Sequence, residues 1–136
     1  MIFEDEFTNK ISEIIYLTKE AVNDSTEAIY YFLYCDEYGS FETVRFKVNG
    51  IITGKNIEAG VSDDKLGEIS DIVNDEIIPE LEEIFKKANK EMPLEYKLAY
   101  NIKTGAFDVD YKYANDIGDD YADFEEAEKW FKTLEK

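Results

Sequence analysis

Cys35 is the one thiol in the sequence, and Asp36 and Glu37 follow it directly. A reactive cysteine needs a neighbour that stabilises the thiolate, and two carboxylates do the opposite. The chain has no histidine to act as its base, so Cys35 reads as a small strand residue. Without histidine, and with one cysteine, the common zinc sites cannot be assembled. A calcium loop needs oxygen ligands at its first, third and fifth positions and glycine at the sixth. From Asp108 the third position is Asp110, but the fifth is Lys112 and the sixth Tyr113; from Asn115 or Asp116 the third is Ile117 or Gly118. None of these registers fits. Paired carboxylates can serve as acid and base. With 32 acids some will meet by chance and no spacing singles out one pair; Asp108 and Asp110 lie two apart on one strand face, and a solvated face is the simpler reading of them. Phosphate-binding glycine loops, nucleophile elbows and kinase motifs are absent. The expectation is a protein without catalytic residues, cofactor or metal.

What remains is charge. Against 15 basic residues stand 32 acidic ones, for a net charge of -17. That balance argues against nucleic acid and anionic membranes as partners. It also costs stability through self-repulsion, which points to a basic partner. The acids concentrate in Ala114 to Glu128, which carries Asp116, Asp119, Asp120, Asp123, Glu125, Glu126 and Glu128 and no basic residue. Ile117, Tyr121 and Phe124 are interleaved with them. Aromatic anchors among steering charges make up a binding surface. The candidate partner-binding residues are Asp108, Asp110, Asp116, Asp119, Asp120, Tyr121, Asp123 and Glu126. The competing reading is a solvated loop and helix start.

These residues need elements to position them. The 136 residues are expected to form one domain, since two cores would each fall near the lower size limit for independent stability. A hydrophobic content of 44% and aromatic content of 15% exclude a chain disordered throughout. From Glu4 to Asn23, Phe7, Ile11, Ile14, Ile15, Thr18 and Val22 recur at helical spacing. Glu27 to Glu37 is apolar along its whole length, a strand with both faces covered. Phe41 to Asn49 alternates and pairs with it through a turn at Tyr38, Gly39 and Ser40; a third strand at Ile51 and Ile52 is less well supported. Ser62 caps a long helix whose face runs through Leu66, Ile69, Val73, Ile77, Leu81, Ile84, Phe85 and Ala88. Pro79 is expected to kink or split that helix near Asp75 to Ile78. Tyr96 to Ile102 and Phe107 to Tyr113 form a second hairpin. A polar loop from Ala114 to Ala122 leads to a last helix capped by Asp123 or a neighbour, with Phe124, Ala127, Trp130 or Phe131, and Leu134 on its apolar face. The expected fold is therefore α+β: an antiparallel sheet from two hairpins, packed against a long helix and N- and C-terminal helices, with the helices on one face. The start of the chain lacks the basic and apolar regions of a signal peptide, and its longest apolar stretch, Ala28 to Cys35, is too short to span a bilayer. A cytoplasmic protein with a reduced thiol is expected.

The stretch from Met92 to Ile117, MPLEYKLAYNIKTGAFDVDYKYANDI, resembles the C-terminal hairpin of the YezG-like immunity protein family. Pro93 precedes a strand, Gly105 sits in the turn, and Phe107 to Tyr113 form the aromatic and acidic return strand, followed by Asp116. Glu125 to Lys132 is similar to the family's closing helix with Trp130 and Phe131, and Leu33 to Glu42 to its acidic first hairpin. The resemblance implies an antitoxin that binds and blocks a cognate toxin, commonly a nuclease exported against competing bacteria, with no catalysis of its own; the acidic charge, read independently, makes a basic nuclease the expected partner. Such a protein would either plug the toxin's substrate cleft as an acidic mimic or bind beside it. The residues themselves leave two other readings open, a small acidic metal-dependent hydrolase and an acidic adaptor.

Overall fold

A computed structural model describes residues 2–135. Helix α1 (Phe3–Ala21) opens with Glu4, Asp5 and Glu6, which suit the positive end of the helix dipole, and it buries Ile11, Ile14, Ile15 and Thr18. Asn23 ends the segment. Its side-chain oxygen accepts bonds from Ser25 N–H and the Thr26 hydroxyl, both at 3.1 Å, and its own N–H bonds the Ala59 carbonyl at 2.7 Å.

Strand β1 (Thr26–Asp36) follows, then β2 (Gly39–Val48) and a short β3 (Ile51–Thr53). The β1–β2 turn lies at Glu37 and Tyr38, one residue earlier than the sequence suggests, because Asp36 Oδ1 accepts both Tyr38 N–H and Gly39 N–H. Asn49 and Gly50, with φ of 52° and 78°, join β2 to β3 in the left-handed geometry that two-residue hairpin turns require. After a short 3-10 turn at Asn56–Ala59, helix α2 (Asp63–Ile72) starts at Ser62, whose hydroxyl oxygen accepts Lys65 N–H at 3.1 Å. Helix α3 (Ile78–Lys87) continues from it through a π turn at Val73–Ile77. The interruption expected from Pro79 takes this form. Ile78 N–H bonds back to the Val73 carbonyl, five residues away, and the wider turn relieves the clash that the proline ring would make four residues back. Strands β4 (Glu95–Asn101) and β5 (Phe107–Lys112) form the second hairpin, and α4 (Asp123–Leu134) closes the chain.

All strand pairs are antiparallel, in the order β3-β2-β1-β4-β5. One face carries Ile29, Tyr31, Leu33, Phe46, Tyr96 and Leu98 against α1 and the α2–α3 helix, with Val44, Tyr100 and Val109 packed at the margin. Phe7 meets Phe85 and Tyr111 edge-on at 5.4 and 5.8 Å.

The expectation that all helices share one face is corrected. Helix α4 lies across the other face, where Ala127 and Phe131 bury Phe32, with Tyr30, Tyr34, Phe41, Trp130 and Leu134 around them. The physical reason is β1 itself. It is central and apolar on both sides, so one helical layer would leave Tyr30, Phe32 and Tyr34 in water. Arg45 closes this second layer, its guanidinium 4.5 Å from the centre of the Phe131 ring and 2.6 Å from Glu128 Oε1.

Candidate binding surface

The face that α4 crosses also carries the acidic run. On β5, Val109 and Tyr111 turn toward α1, so Asp108 and Asp110 project from the opposite side of the sheet and are exposed. Asp110 stands opposite Lys97, and Asp108 opposite Ala99. The chain then leaves the sheet edge and runs back across that face to α4. Two polar contacts shape this connection. Asp116 Oδ2 accepts Tyr113 N–H at 3.1 Å, which spends one aspartate on a local turn at Ala114–Asp116. The Tyr121 hydroxyl donates to Glu95 Oε1 at 2.9 Å, and its ring lies 5.4 Å from that of Tyr34.

Glu95, on the face of β4 opposite Tyr96 and Leu98, is a charged group that the sequence did not single out. It is 1% exposed, covered by the connection, with Lys97 Nζ 3.7 Å away. The clue was the apolar second face of β1, which required a covering element there. Burial, followed by the bond to Glu95, pushes the Tyr121 hydroxyl well above its ordinary pKa, so it stays a donor. Tyr121 is half-buried and clasps the loop to the sheet.

Around this clasp, Asp119 and Asp120 are exposed. Asp123 is the first residue of α4 rather than its cap, a position held by Ala122. Glu126, partly covered, lies 3.6 Å from Lys129, and Glu128 is taken by Arg45. Phe124, expected on the apolar face of α4, points outward and is 58% exposed, between Asp123 and Glu125. The face buried by α4 begins at Ala127, one turn later. The structure thus brings Asp108, Asp110, Asp119, Asp120, Tyr121, Asp123 and Glu126 to one side of the sheet. Asp116 is engaged locally.

The other chemistry-bearing residues are held in structural roles. Cys35 is buried, and burial together with the charges of Glu82, Asp36 and Glu42 pushes its thiol up to about 12. Among the described residues, no group of three His, Cys, Asp or Glu side chains is disposed to hold a metal ion, and no helix is long and apolar enough to cross a membrane. A surface of exposed carboxylates beside an exposed ring can attract and seat a basic protein.

Over residues 5–135 the sequence matches a family described as Immunity protein YezG-like. A search of curated proteins finds no match to this chain.

Proposed function

Since the chain belongs to the YezG-like immunity protein family, we propose that it neutralises its cognate toxin, a basic nuclease, by stoichiometric binding in the cytosol of the cell that makes it. The family match over residues 5–135 carries the immunity role. The acidic composition supports the choice of a nuclease. A protein that must occupy a cleft built for phosphates needs dense negative charge, and a net charge of -17 supplies it.

In this reading Asp108, Asp110, Asp119, Asp120 and Asp123 steer the encounter. Phe124, exposed among the acids, is the anchor that loses water on docking. Tyr121 holds the loop in its binding shape through Glu95. Inhibition is by occlusion, the carboxylates standing where nucleic-acid phosphates would lie, and no turnover is involved.

The experiment is co-expression with the toxin domain encoded beside this gene, followed by purification. A 1:1 complex, protected cells, and displacement of the immunity protein by a DNA or RNA duplex would support the reading. Cells that die despite soluble expression would overturn the immunity partnership. A complex that still binds nucleic acid with unchanged affinity would overturn occlusion.

A further inference from the structure

On the helical side of the sheet, away from the acidic run, the surface between β2 and α2 opens into a cleft of about 260 Å³. Tyr31, Val44, Leu66, Ile69 and Ser70 line it together with Glu42. The Glu42 carboxylate is partly buried and fixed at both oxygens. The Tyr31 hydroxyl donates to Oε2 and Asn74 Nδ2 donates to Oε1, each at 2.9 Å. Asn74 is itself held, donating to the Ser70 carbonyl at 2.9 Å and accepting from the Ser40 hydroxyl.

No Lys or Arg nitrogen lies within 4.0 Å of Glu42 among the described residues. Arg45 contributes to the cleft wall, yet its guanidinium is committed to Glu128 and Phe131. A carboxylate drawn out of water without a counter-charge is costly, and burial raises its pKa here. The Ser70 hydroxyl hydrogen-bonds the carboxylate as well, so three donors meet its roughly four acceptor positions and room is left for one more.

We propose that this cleft is a socket for a lysine side chain of the bound toxin, its ammonium on Glu42 and its stem against Val44, Leu66 and Ile69. The inference rests on the immunity reading for the identity of the occupant. Lysine fits better than arginine because both oxygens already hold a donor. That leaves a point contact rather than the open fork a guanidinium prefers. The aliphatic walls suit the stem. The socket would add a second contact on the opposite side of the sheet from the acidic run, so the toxin would reach around the β2–β3 edge.

The test has one arm on the chain alone. n-Butylammonium, a mimic of the lysine side chain, is titrated into isotope-labelled protein while amide shifts of Val44, Ser70 and Asn74 are followed. Saturable shifts are expected with the wild-type chain, with loss in Glu42→Gln and in Leu66→Trp, which fills the cleft while leaving the carboxylate and its donors in place. Tetramethylammonium, which cannot donate a hydrogen bond, should give none. Absence of shifts with butylammonium, or equal shifts in Glu42→Gln, overturns the socket. The two variants rest on different changes, so one that fails to fold leaves the other to decide.

The second arm measures binding to the toxin encoded beside the gene. Glu42→Gln should weaken it by about tenfold, mostly by faster dissociation. Butylammonium binding combined with unchanged toxin affinity would make the cleft a site for a free amine and overturn the proposed occupant, with the immunity reading intact. A toxin that ignores the wild-type chain as well would overturn that reading and the proposed occupant, while the butylammonium arm still judges the socket.

Discussion

At the scale of single residues, two carboxylates are held by hydroxyl donors, and the structure gives each a different consequence. Glu95 is almost wholly buried beneath Tyr121. Tyr121→Phe removes its hydroxyl donor and leaves the carboxylate under-satisfied, which should cost about 1–3 kcal/mol in urea unfolding. Because the ring remains, the loop should keep its course. Glu42 responds to pH. Its folded pKa lies above its ordinary value through burial, so between those two values the folded state keeps a proton that the unfolded chain releases. Its contribution to stability therefore falls as pH rises through that window, and the ionised group is a liability above it. Glu42→Gln should raise the melting temperature at pH 7, with a gain that shrinks toward pH 4. A gain that stayed constant with pH would show that the carboxylate titrates normally.

At the scale of elements, apolar patterning located the helical segments and four of the strands among the described residues to within a few positions: α1, α2–α3, β2, β4 and β5 each bury one regular face, and β1 stands out as apolar along its whole length. The third strand was weakly supported by its short apolar stub, and the signal that could have strengthened it is the turn before it. Asn49-Gly50 is a strong two-residue turn signal, and Ile51 to Thr53 follows it. The side of the sheet taken by α4 was not written in α4, whose Ala127, Trp130, Phe131 and Leu134 would suit either face. It was implied by β1, where Tyr30, Phe32 and Tyr34 demand a cover. The candidate surface was legible as a run of acids, but spacing alone could not tell that Tyr121 and Asp116 are engaged in holding the loop while Phe124 is exposed. Those outcomes depend on tertiary contacts to Glu95 and Tyr34. Two consequences follow. Phe131→Ala empties the second layer and should destabilise by roughly 3–5 kcal/mol. In hydrogen exchange, β1, β2, β4 and β5 should be protected far longer than residues 114–122, whose backbone lies outside the sheet ladders.

At the scale of the whole molecule, 32 acidic residues against 15 basic ones make repulsion a property of the fold. Raising salt from about 0.01 M to about 1 M shortens the screening length from about 30 Å to about 3 Å, so the melting temperature of the free chain should rise. The same charge should act in the opposite sense on the complex, where salt removes attraction. The most direct test of the proposed function is the association rate with the cognate toxin, measured by stopped flow over that range of salt. The wild-type chain is compared with the triple variant Asp119→Lys, Asp120→Lys and Asp123→Lys. The wild-type rate should fall steeply with salt, the variant should be much slower at low salt, and the two should converge at high salt. A variant that associates as fast as wild type at low salt would contradict this expectation, making the acidic run a solvated face with no part in finding the toxin.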